Sequence, residues 1–132
     1  MGTRAIITFS EPGESHHLFQ HYDGYPTGFY DNLKTWLESG LSWQLPRFES
    51  DDAIAGFIAA NKKQGGGFRV SKTRTAFSDV EFGYKIQIQK NRDLILTVTI
   101  TNFWDGGRDE LRLWSGKLSE FTREIASEIE EA

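Results

Sequence analysis

The chain contains no cysteine, which excludes disulfides, thiolate metal sites and cysteine nucleophiles and suits a reducing cytosol. It also lacks any apolar run approaching the ~20 residues that span a bilayer. Met1-Gly2-Thr3-Arg4-Ala5 leads into a strand-like pattern with no signal-peptide core. The expectation is a soluble protein that stays in the cytoplasm and has no membrane partner. Gly2 is followed by Ile6 where a myristoylation signal wants Ser or Thr, so lipidation is not expected. An excess of positive charge is missing too: the formal net charge is −4, which makes a nucleic-acid partner an unfavoured expectation, since phosphate backbones are held by net basic faces. There is no Ser-His-Asp elbow, no HExxH helix and no paired-carboxylate spacing, and no cofactor is expected.

What is present is enough for one core. The chain has 132 residues, 38% of them hydrophobic, with ten Phe, four Trp and four Tyr, which fits a single globular domain over residues 1–132. Thr3 to Phe9 reads as a strand turned by Glu11-Pro12-Gly13-Glu14 into a partner strand, His16 to Tyr22. Phe29, Leu33, Trp36 and Leu37 recur at helical spacing ahead of Gly40. After Pro46, Ser50 followed by Asp51 and Asp52 predicts an N-cap for a second helix carrying Ile54, Phe57 and Ile58. Val80 to Gln89 and Leu94 to Ile100 alternate with period two about the turn Lys90-Asn91-Arg92-Asp93, and Leu111 with Leu113 marks a last short strand after Asp105-Gly106-Gly107. From Ser115, the stripe Leu118, Phe121, Ile125 and Ile129 predicts a closing amphipathic helix. The order β-β-α-α-β-β-β-α implies an α+β fold, with an antiparallel sheet of about five strands and helices on one face.

Charge is unevenly spread. Lys62, Lys63, Arg69, Lys72 and Arg74 share a stretch without acids, while Glu124, Glu128, Glu130 and Glu131 end the chain without bases. Both runs are candidate contact surfaces, and solvated faces are the ordinary alternative. Gly66-Gly67-Phe68-Arg69-Val70-Ser71-Lys72-Thr73 is not a phosphate loop, because Ser71 replaces the second glycine and a strand follows where a helix is needed. The flanking cations remain a candidate for holding phosphate groups.

The densest cluster of reactive side chains is His21-Tyr22-Asp23-Gly24-Tyr25-Pro26-Thr27-Gly28, between a strand end and a helix start. Its ordinary reading is a turn propped by aromatic rings. Its functional reading is an anion or carbonyl site at the helix N-terminus, with His21 and Asp23 exchanging protons. Met1-Gly2-Thr3-Arg4 together with His21-Tyr22-Asp23-Gly24-Tyr25-Pro26 resembles a family of small bacteriophage and prokaryotic proteins with a Met-(Ser/Gly)-Thr-Arg start and a His-(Tyr/Trp)-Asp-Gly-Tyr-Pro block. The resemblance covers the first forty residues or so. That family has no established activity to carry over, and the resemblance implies a phage-type lineage and an ion pair between Arg4 and Asp23.

His17 and His21 share a strand face, but four positions span about 13 Å, too far for one ion, so no metal site is expected. Trp43 and Trp104 fall outside the apolar stripes and are candidates for a binding surface. Together these features favour a non-catalytic binding module, a phage-type accessory protein capturing a host protein or a small anionic ligand, phosphorylated or not. Arg4, His21, Asp23, Tyr25, Lys72 and Arg74 are its candidate contacts. One alternative is an enzyme on a nucleotide-like or phosphorylated substrate, with His21 and Asp23 as acid and base. Another is a structural homodimer joined through the C-terminal helix.

Overall fold

A computed structural model describes residues 3–39, 49–62, 67–73, 80–89, 94–104 and 107–131. Strands β1 (Ala5–Glu11) and β2 (Glu14–Gln20) precede helices α1 (Pro26–Ser39) and α2 (Ser50–Asn61). Strands β3 (Phe68–Ser71), β4 (Phe82–Ile88), β5 (Leu94–Trp104) and β6 (Gly107–Lys117) follow, then a 3-10 turn at Leu118–Glu120 and helix α3 (Arg123–Glu131). The expected positions of Gly40, Trp43, Pro46, Lys63 and Arg74, and of the turns at 90–93 and 105–106, lie outside the described residues. So does the Trp104 side chain.

The fold is α+β, with one mixed sheet of six strands in the order β3-β2-β1-β4-β5-β6. This corrects the expected antiparallel sheet of about five strands. β1 runs parallel to β4, with Ile7 beside Tyr84 and Phe9 beside Ile86. Its sequence explains why it lies in the middle: Ala5, Ile6, Ile7, Thr8 and Phe9 are all buried, an unbroken run that needs cover on both faces. β3 is the added strand, and its four residues are too few to show a period.

The β1–β2 hairpin turns as expected, with Pro12 setting φ at the first central position and Gly13 supplying φ +85 at the second. The β4–β5 hairpin keeps the alternation read from the sequence, pairing Tyr84 with Val98 and Ile86 with Leu96. Residues Ala5, Ile7, Phe9, Leu18, Phe82, Tyr84, Ile86, Leu96 and Val98 line one face of the sheet, and the helices pack Phe29, Leu33, Trp36, Phe57 and Ala126 onto it. Phe29 stacks on Tyr84 with ring centroids 3.8 Å apart, and Phe9 meets Trp36 and Phe57 edge-on. Burying such a ring contributes about 1.5–3 kcal/mol, so this layer dominates stability.

Three local expectations change. The stripe from Ser115 is not one helix: Ser115 to Lys117 complete β6 by pairing with Thr97, Leu96 and Ile95. Leu118 and Phe121 are buried around a 3-10 turn, and Thr122 then opens α3 by accepting the Ile125 N–H on its hydroxyl. Backbone pairing with β5 satisfies groups that a longer helix would also satisfy, and the apolar side chains reach the core either way. α3 spends its apolar residues Ile125, Ala126 and Ile129 inside the monomer, so its stripe is not a free dimer face. Finally, Ser50 is the first helical residue of α2 and Glu49 is the cap, with no side-chain cap bond of its own.

The cap of α2 comes from another element. The Glu11 carboxylate at the end of β1 accepts both the Ser50 N–H (3.0 Å) and the Ser50 hydroxyl (2.6 Å) through Oε1. α1 repeats the device: Glu130 of α3 accepts the Thr27 N–H (3.0 Å) and hydroxyl (2.7 Å). A carboxylate at a helix N-terminus satisfies orphan donors and complements the dipole. Among the described residues, no helix is long and apolar enough to cross a membrane.

Candidate binding surface

The His21–Gly28 block is first of all a joint between β2, β1 and α1. Asp23 takes φ 57, a left-handed conformation that Asp tolerates. Gly24 donates its N–H to the Thr3 carbonyl (2.9 Å), and a Cβ there would lie 2.7 Å from that of Ala5. The Gly24 carbonyl accepts the buried Tyr84 hydroxyl at 2.6 Å, and burial holds that phenol protonated well above the ordinary tyrosine value. Gln20 donates to the carbonyls of Tyr22 (2.7 Å) and Asp23 (3.2 Å) and to Asn32 of α1 (3.0 Å). Asn32 in turn donates to Asn61 of α2 (2.9 Å), so amides tie the turn to both helices. Pro26 starts α1 where its missing N–H costs nothing. Gly28 has no room for a Cβ beneath the Asp23 carbonyl.

The side chains left at the tip divide in two. Asp23 is exposed and accepts the Tyr25 hydroxyl at 3.3 Å, and its charge holds the Tyr25 phenol above its usual value. His21 packs edge-on against Tyr22, with centroids 4.4 Å apart, and accepts Arg4 Nε on Nδ1 at 3.4 Å. Arg4 therefore reaches the block through His21, and the described contacts of Asp23 are with Tyr25 and Gln20 rather than Arg4. Among the described residues no hydrogen bond joins His21 to Asp23, and the Thr27 N–H that an anion would seek is held by Glu130. Lys72 is exposed one residue beyond β3. Arg74 lies outside the described residues.

Arg4 and His21 open onto the second face of the sheet, against which none of the described helices packs. That face has a small buried cluster of Ile6, Phe19 and Val80 near the β2 side. Beyond it the register builds a polar row across all six strands: Ser71, His17, Thr8, Lys85, Thr97 and Ser115. Thr8 and His17 are hydrogen-bonded at 2.9 Å, and Thr97 and Ser115 at 3.2 Å. The neighbouring rows end in Arg69 and Arg112 on one side, and run through Ser10 and Gln87 to Lys117 on the other. A cleft of about 420 Å³ lies where this face meets the carboxyl ends of β1 and β4, lined by Ser10, Glu11, Gln87 and Gln89 among others.

The sheet therefore separates charge. Among the described residues, the second face carries Arg4, Arg69, Lys85, Arg112 and Lys117, with Glu81 and Glu110 of opposite sign together at the Thr101 end. The helices carry Asp31, Glu38, Asp51, Asp52, Glu124, Glu128, Glu130 and Glu131 against Lys34 and Arg123. Among the described residues, an acidic protein thus carries one face on which cations outnumber acids. Such a face can give charge-assisted hydrogen bonds to carboxylates. Lys85, Arg112 and Lys117 were not candidates from the sequence, because only strand register makes them neighbours.

No group of three or more metal-ligating side chains occurs among the described residues. His16 pairs with Glu14 at 2.9 Å at the hairpin end. Compared with known proteins, the chain matches no family model, and no curated protein or solved structure matches it.

Proposed function

We propose that the protein is a non-catalytic binding module whose second sheet face, opposite the helices, receives an acidic surface of a partner protein at its exposed cations. The observation that carries this reading is the segregation of charge by the sheet among the described residues, which sets Lys85, Arg112 and Lys117 on one face of a chain of net charge −4. A carboxylate-bearing partner fits it better than a nucleic acid, because the ring of Phe19 that a base would stack on is buried with Ile6 and Val80. Arg4 and His21 extend this face, Lys72 borders it, and Arg74 belongs to the same basic segment. Asp23 and Tyr25 are the neighbouring polar contacts. The phage-type resemblance supports an accessory protein acting in the cytoplasm, on a host protein if phage-encoded.

The test is fluorescence anisotropy with a labelled polyglutamate peptide, against a single-stranded oligonucleotide. Wild type is expected to bind the peptide in a salt-dependent way, and Lys85→Glu with Lys117→Glu to weaken it at least tenfold. Lys34→Glu on α1 should leave it unchanged. No peptide binding at low salt, or equal loss in the Lys34 variant, overturns the reading. A preference for the oligonucleotide replaces the partner class.

A further inference from the structure

The two edges of the sheet are built differently. β3 closes one side with only four residues, a length that offers little to a passing strand. Among the described residues, β6 closes the other with eleven residues paired to β5 alone. Near its middle Leu111 is 52% exposed, flanked by Glu110 and Arg112. A long edge with an exposed apolar residue is a template for another strand, and the charges along this one select the register in which opposite signs meet.

We infer that β6 pairs antiparallel with β6 of a second copy about a two-fold axis at Leu111. The sequence supports this occupant through its own symmetry. With Leu111 opposite Leu111, Glu110 of each copy lies opposite Arg112 of the other, so two ion pairs form at once. Shifting the axis to Arg112 sets like charges opposite and loses both. Residues directly opposite in an antiparallel pair project to the same side. Arg112 pairs with Thr99 and Glu110 with Thr101, so the ion pairs lie on the face opposite the helices. Leu111, beside Ile100, lies on the helix side. The axis falls N-terminal to the irregularity at Val98/Thr99, where Leu113 drops out of register with β5. The dimer is one continuous sheet with the two basic faces side by side. It stands whether or not that face binds an acidic partner, because its evidence is the edge alone.

The experiment is sedimentation velocity with native mass spectrometry over a concentration series, with thermal melting to show each variant is folded. Wild type is expected at twice the calculated chain mass. Leu111→Lys places two cations on the axis and should return the monomer with little change in melting. Glu110→Arg or Arg112→Glu alone should raise the dimer Kd about tenfold, and the two together should restore it. A wild type monomeric at every concentration, a dimer indifferent to Leu111→Lys, or a charge swap that fails to restore pairing overturns the inference.

Discussion

Glu11→Gln isolates the charge of the carboxylate that starts α2. In the native fold one oxygen of Glu11 receives both the N–H and the hydroxyl of Ser50, and Ser50 is fully buried. Glutamine keeps an acceptor oxygen but loses the charge. Hydrogen bonds to charged groups are worth about 1.5–3 kcal/mol against about 0.5–1.5 for neutral ones. With two bonds, and some screening at the partly exposed carboxylate, the loss is about 1–2 kcal/mol. At about 2.1 cal/mol/K of unfolding entropy per residue, that lowers Tm by roughly 4–7 °C for a chain of this length. Glu11→Ala also leaves the buried hydroxyl without its acceptor and should cost more. The bonds from Ser50 hold the Glu11 carboxyl below the usual carboxylate range. A carboxyl depressed in the folded state stabilises fully above its unfolded pKa and loses that contribution as pH falls through its folded value. The gap between wild type and Glu11→Gln should therefore be constant near neutrality, narrow below about pH 4.5 and close at lower pH. Melting followed by circular dichroism from pH 7 to pH 3 measures it. Equal Tm values at pH 7, or a gap that does not shrink in acid, would refute the remote-cap argument.

Tyr84→Phe removes the donor to the buried Gly24 carbonyl, and leaving that acceptor unpaired costs about 1–3 kcal/mol in urea titration. Because burial raises the Tyr84 phenol, its contribution is complete below the unfolded pKa and is lost as pH rises through the folded value. Wild type should lose stability above about pH 10 more steeply than the variant, and parallel alkaline curves would refute this. Gly28→Ala forces a methyl into the Asp23 carbonyl, an overpacking cost of about 3 kcal/mol; a melting point within a degree of wild type would show that the turn has slack.

The turn block accounts for itself largely by structure, and this bears on the candidate site. Gly24, Pro26 and Gly28 are set by close approach and helix entry, while Gln20 and Tyr84 hold the carbonyls of the turn. Of the residues singled out from the sequence, Arg4 and His21 meet each other, and Asp23 meets Tyr25. The helix N-terminus that made the block attractive as an anion site already has a carboxylate from α3.

The sequence alone determined the local elements. Period-two alternation wrote the β4–β5 hairpin, Pro12-Gly13 wrote the first turn, and helical spacing wrote α1 and α2. Tertiary structure decided the rest, because strand pairing, caps and surface charge depend on residues far apart in the chain. Nothing near β1 specifies that β4, more than seventy residues later, lies parallel to it. Nothing near Ser50 or Thr27 specifies Glu11 or Glu130. The basic face has the same origin: Arg4, Lys85, Arg112 and Lys117 are scattered singly among threonines and apolar residues. Only the six-strand register turns them to one side while the helices carry the acids to the other.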